Sequence, residues 1–132
     1  MTSAERLRQH PEERLASPVQ VFDVATVVES LRNEAHDARN GHRQVTIGRH
    51  GPVTQIIMTF EDGGLFKEHT AEGVVTIQVL GGKLEVVLEA ETLELVSGQL
   101  VTLAPGVPHS VRALAESEML LSIAVMKDEP LG

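Results

Sequence analysis

The chain has 132 residues, 42% of them hydrophobic and 23% charged, a net charge of −8 and an isoelectric point near 5.2, with no cysteine, tryptophan or tyrosine. That length fits one domain able to bury most of its apolar surface without staples; the acidic balance disfavours nucleic acid, which requires a positive surface, and the lack of cysteine excludes disulfides, thiolate metal sites and cysteine nucleophiles. No apolar run approaches the roughly 20 residues that span a bilayer, and the N-terminus lacks the core of a signal peptide, so the expectation is a cytoplasmic protein with no membrane or nucleic-acid partner.

Residues 1–42 read as an N-terminal arm and one short helix. Residues 2–16 are polar and charged, and Thr2-x-x-Glu5 forms a capping-box pattern that Pro11 interrupts. Val19-Gln20-Val21-Phe22 alternates as a short strand does. Asp23 suits an N-cap, and Val24, Val27, Val28 and Leu31 then fall at i, i+3, i+4 and i+7, the stripe of an amphipathic helix. The helix is predicted to end near His36, before the turn at Asn40-Gly41.

From Arg43 the periodicity changes to short strands separated by turn residues, and residues 43–126 read as a barrel. Strands are predicted over Gln44–Arg49, Val53–Phe60, Val74–Leu80, Lys83–Leu88, Thr92–Leu95, Gln99–Leu103, Ser110–Ala113 and Met119–Met126. Gly51-Pro52, Asp62-Gly63-Gly64, Gly81-Gly82, Ser97-Gly98 and Pro105-Gly106-Val107-Pro108 mark turns between them. Eight short strands with tight turns argue for an all-β, antiparallel sandwich or barrel rather than βαβ units. Leu84, Val86 and Leu88 alternate with Lys83, Glu85 and Glu89, the pattern of a strand with one wet face. Val74–Leu80 is apolar at nearly every position, which predicts cover on both faces, in a two-layer roll or at a homodimer seam. Residues 127–132 are a polar C-terminal tail containing Pro130.

Two turn-bounded signals then stand out. Lys67-Glu68-His69-Thr70-Ala71-Glu72-Gly73 precedes one strand, and Gly98 through Pro105-Gly106-Val107-Pro108-His109 precedes another. Their spacing resembles that of the cupin superfamily, small jelly-roll barrels with two such motifs, and in particular its small single-domain bacterial members, germin-like or sugar-epimerase-like. His69 falls on the first histidine of the first motif, with Gly63 or Gly64 before it and Gly82 after it; His109 falls on the histidine of the second, after Gly98, Pro105 and Gly106. Ala71 and Val75 stand where that family has a second histidine and a glutamate, and Ala113 where it has an asparagine. The resemblance covers about residues 43–126 and implies an antiparallel jelly-roll barrel that commonly pairs into homodimers.

A metal in that family sits among two histidines and a carboxylate of the first motif and a histidine of the second. Two readings therefore stand for this chain. In one, His69 and His109 line a pocket for a small-molecule ligand, with Phe66 and with Gln55 and Gln78 as polar anchors in an otherwise apolar barrel. In the other, His69, His109 and Glu72 form a reduced ligand set for a divalent transition metal (Fe, Mn, Ni, Zn or Cu), and the protein is a metal-dependent enzyme of dioxygenase or isomerase type. Imidazole also takes or gives a proton near neutrality, so acid-base work needs no metal. His10, His36, His42 and His50 are read as surface or arm residues, and no catalytic residue is assigned.

Overall fold

A computed structural model describes residues 18–125, and for Glu68 and His69 the backbone alone. The arm signals at Thr2 and Glu5 and the tail from 127 onward lie outside the described residues. One helix, α1 (Val24–Arg32), precedes nine strands: β1 (His42–His50), β2 (Val53–Phe60), β3 (Leu65–His69), β4 (Val74–Gly81), β5 (Lys83–Leu88), β6 (Thr92–Val96), β7 (Leu100–Leu103), β8 (His109–Ala113) and β9 (Ser117–Ala124). Every strand pairing is antiparallel, in a five-stranded sheet ordered β1-β2-β9-β4-β7 and a four-stranded sheet ordered β3-β8-β5-β6. This is a jelly roll of two facing sheets, and no helix among the described residues is long and apolar enough to cross a membrane.

Alternation explains the core. Val75, Ile77 and Val79 of β4, Leu84 and Val86 of β5, Val111 and Ala113 of β8, and Met119 and Leu121 of β9 point into the space between the sheets, where they join Met58 and Phe60 of β2. Full burial of each larger side chain contributes about 1.5–3 kcal/mol, and together they drive the two sheets onto one another.

A second, smaller cluster sits on the outer face of the five-stranded sheet. There Leu31 of α1 packs on Val45, Ile47 and Ile57, with Val24, Val27, Val28 and Leu120 around it. Asp23 caps the helix by accepting from the Thr26 amide at 3.2 Å, and Asn33 closes it with its N–H on the Glu29 carbonyl. The helix stops at Arg32 rather than near His36 because Leu31 is the last member of the apolar stripe; the next positions on that face are Glu34 and Ala35. Arg32 then ties the helix end to the start of β9, donating from Nη2 to the Ser117 carbonyl at 3.0 Å and to the Glu118 carboxylate at 2.5 Å.

Two elements differ from the sequence expectation. Val19–Phe22 forms no strand: it leads straight into the N-cap, and Val21 stands 92% exposed. Leu65–His69 is a ninth strand that the pattern did not announce. It pairs with β8, Phe66 opposite Val111, with an irregularity in register between Phe66 and His69.

Candidate functional site

The two turn-bounded signals come together through backbone geometry. Ala104-Pro105-Gly106-Val107 forms a tight turn closed by the Val107 amide on the Ala104 carbonyl, with Gly106 at φ +81°, where only glycine is unstrained. The Gly106 amide in turn donates to the carbonyl of Ala71 at 2.8 Å, which fastens the β7–β8 turn to the β3–β4 loop. The register of β3 and β8 sets residue 69 directly opposite residue 109. On the other side of β8, His109 lies opposite Leu88 of β5.

Gly73, at the far end of the β3–β4 loop, is buried against β9. A Cβ built on it would lie 2.2 Å from the Ala124 carbonyl oxygen, so the loop reaches its place only because this residue has no side chain.

His109 is the best-defined polar group of the site. Its side chain is on the inner face of β8, like those of Val111 and Ala113, and the residue is 1% exposed. Nδ1 lies 3.1 Å from the Val107 carbonyl oxygen. A carbonyl can only accept, so Nδ1 is the donor of this bond, and in the neutral ring Nε2 is then the acceptor nitrogen. Beside the end of β8 a cleft of about 140 Å³ is lined by Val87, Leu88, Glu89 and Pro108.

Phe66 is on the same inner wall, packed against the core, and it meets the ring of His42 edge-on with centroids 5.7 Å apart. The Phe60 ring lies 5.8 Å from the His42 ring, tilted by 39°. His42 is therefore no surface histidine: it is half-buried at the start of β1, opposite Phe60, and its Nδ1 is bound to the Leu65 carbonyl at 2.9 Å, which couples β1 to β3. The sequence signal for it was its position just after the Asn40-Gly41 turn, where strand alternation begins.

The remaining candidates lie elsewhere. Glu72 is exposed on the β3–β4 loop. Gln78 sits on β4 between Ile77 and Val79, hence on the opposite face, and Gln55 is likewise on the outer face of the five-stranded sheet, its Oε1 lying over Gly48. The structure thus gathers residue 69, His109 and Phe66 on one pair of strands of the four-stranded sheet and leaves the two glutamines on the outer face of the other sheet. His36 and His50 are exposed, as the sequence reading had them.

Residues 56–126 match the cupin domain family. Among solved structures, a conserved protein of unknown function from Streptococcus pyogenes is 19% identical, with a TM-score of 0.67 and coverage of 84% of this chain and 91% of its own. A cupin superfamily protein from Desulfitobacterium hafniense DCB-2 is 13% identical, with a TM-score of 0.67 and coverage of 86% and 96%. KdgF from Halomonas sp. is 23% identical, with a TM-score of 0.60 and coverage of 74% and 90%. At these identities the likeness is one of fold. No curated protein matches the chain.

Proposed function

The chain belongs to the cupin family, and on that premise we propose that it binds a small molecule at the end of the jelly roll where β3 and β8 pair, with the His109 imidazole as the recognition group. One observation carries this: an imidazole 1% exposed, set in an apolar inner wall and held in a single tautomer by the Val107 carbonyl. With Nδ1–H committed to the backbone, Nε2 is an acceptor of fixed direction, suited to a hydroxyl or N–H of the ligand, while Phe66 offers apolar surface on the same sheet. The β3–β8 register sets the backbone of residue 69 opposite His109, at the same end of the jelly roll.

The fold implies a metal in many of its members, and the residues here do not fit a resident one. Val75 is 2% exposed within the core and Ala71 packs against it, so methyl groups stand where the family has a carboxylate and a second imidazole. Among the described residues no three His, Asp or Glu side chains come together in a way that would hold an ion. The reading as a metal-dependent enzyme of dioxygenase or isomerase type keeps one observation in its favour, the Val107 carbonyl on His109 Nδ1, which is how ligating imidazoles are oriented.

The test is a thermal-shift screen of small hydroxylated and carboxylated compounds against the wild-type chain and His109→Leu, which keeps the buried volume but removes the acceptor. Compounds that raise the melting temperature of the wild type and leave the variant unmoved support the reading; equal shifts in both, or none in either, defeat it. Elemental analysis of the purified protein accompanies the screen, and a stoichiometric metal lost on replacing His69 and His109 by alanine turns the conclusion to the metal-dependent alternative.

A further inference from the structure

We propose that Asn40 is a site of spontaneous deamidation, that opening of the junction between β1 and β3 gates the reaction, and that the isoaspartyl product cannot rebuild that junction. The inference is independent of what the jelly roll binds.

The chain has two asparagines, Asn33 and Asn40, and they differ in the atom that would attack them. Deamidation starts when the amide nitrogen of the following residue adds to the side-chain Cγ, so it needs a small neighbour with a free amide. Asn33 is followed by Glu34, a buried residue whose amide donates to the Leu31 carbonyl at 3.3 Å. Asn40 is exposed and is followed by Gly41, whose amide meets no acceptor among the described residues. Asp62-Gly63 is the other pair able to cyclise, but the Gly63 amide is held by the Ala113 carbonyl at 3.0 Å. At Asn40 the Gly41 nitrogen bonds to Cγ, the Cγ–nitrogen bond of the side-chain amide breaks, and that nitrogen leaves as ammonia with the proton given up by Gly41. Water then opens the cyclic imide. Attack at the former side-chain carbonyl gives aspartate; attack at the main-chain carbonyl gives isoaspartate, with the chain running through the side chain.

The fold supplies the gate. Asn40 and Gly41 take φ +53° and +71°, and the His42 amide donates to the Arg39 carbonyl at 3.1 Å, the pattern of a type I′ turn. Both carbonyls of the turn are also held: that of Asn40 by the Leu65 amide at 2.8 Å, that of Gly41 by the Glu61 amide at 2.9 Å. Cyclisation swings the Gly41 nitrogen toward Cγ by rotation within the Asn40–Gly41 backbone, which those bonds oppose, so local opening comes first. Isoaspartate then adds a methylene to the main chain where no space exists. A Cβ on Gly41 would lie 2.7 Å from the Gly64 Cα, and one on Gly64 would lie 2.3 Å from the Gly41 carbonyl oxygen. The aspartyl product keeps the chain length and tolerates the left-handed φ, adding only a negative charge near Glu61 and Asp62. Isoaspartate therefore unseats the Leu65 end of β3, and with it the bond from His42 Nδ1 to the Leu65 carbonyl.

The full chain is incubated at mildly alkaline pH, in native buffer and across a urea series, and read by peptide mapping with mass spectrometry and by enzymatic methylation of isoaspartyl groups. In denaturing urea Asn40 is expected to convert well ahead of Asn33. In native buffer the Asn40 reaction is expected to run at least ~10-fold slower and to quicken through sub-denaturing urea. Gly64→Ala, which forces the junction apart, is expected to bring the native rate toward that of the unfolded chain and to leave the rate in denaturing urea unchanged. Should that variant fail to fold, the urea dependence of the wild type decides. The purified isoaspartyl chain is expected to melt at least ~5 °C below Asn40→Asp. Equal rates in native buffer and denaturing urea overturn the proposal, as do a native rate indifferent to sub-denaturing urea, a folded Gly64→Ala variant with the wild-type rate, and an isoaspartyl chain that melts with Asn40→Asp.

Discussion

Gly73→Ala tests the link between packing and site most directly. The substitution adds one methyl group at a residue whose φ is outside the left-handed region, so no backbone penalty arises and the effect is one of space. The added Cβ meets the Ala124 carbonyl oxygen at 2.2 Å, its carbon at 2.5 Å and the Val125 Cα at 2.8 Å, all of them backbone of β9 and its continuation. No side chain swings away to make room, and reaching van der Waals separation requires the β3–β4 loop to move by roughly 1 Å. Overpacking of this kind costs about 1–3 kcal/mol. For a domain of this size that lowers the melting temperature by roughly 4–12 °C, read by far-UV circular dichroism. The same movement carries Ala71 with it and loosens the Gly106 amide from the Ala71 carbonyl. Hydrogen exchange at Gly106 is therefore expected to accelerate more than exchange at Val86 in the core. A melting temperature within about 1 °C of wild type, with Gly106 protection unchanged, refutes the argument that this contact sets the loop.

Two further substitutions probe the helix. Arg32→Ala removes the donor shared by the Ser117 carbonyl and the Glu118 carboxylate, bonds that involve charged groups, and is expected to cost about 2 kcal/mol in urea unfolding; Arg32→Lys recovers only part, since an ammonium does not reproduce the guanidinium fork, and a loss below roughly 0.5 kcal/mol for the alanine variant counts against the tie. Asp23→Ala leaves the Thr26 amide without its acceptor and is expected to cost about 1 kcal/mol, whereas Asp23→Asn is nearly neutral; equal losses in the two variants argue against a capping role.

The limits of β2 and β5 were legible in the sequence because strong strand residues run there between marked turns. Leu65–His69 has no such pattern: two apolar residues precede three polar ones, and it becomes a strand through pairing with a segment far along the chain. Val19–Phe22 has the pattern but takes no place in either sheet, which shows that alternation is a condition for a strand and not its cause. The two histidine motifs were legible as turn-bounded signals, and the β3–β8 register brings residues 69 and 109 opposite each other, yet the burial of His42 was missed because it depends on Phe60 and Phe66 closing around it, a tertiary event. Gln78 could be placed by parity from Val75. Gln55 could not, since Ile56 and Ile57 next to it are both apolar, one facing the core and the other facing α1.

The pairing of β3 with β8 also fixes when the site comes into being. His69 and His109 are forty positions apart, and the segment between them includes β4 through β7, drawn from both sheets. Their register is set only after that long loop has closed, and non-local closures of this kind belong to the slow, late part of folding, in the millisecond-to-second range for β-rich domains. A partly assembled chain therefore has no half-strength version of the site. Under the proposed binding, ligand affinity and completion of the fold are expected to rise together, and the ligand to retard unfolding of the whole domain rather than tighten one loop.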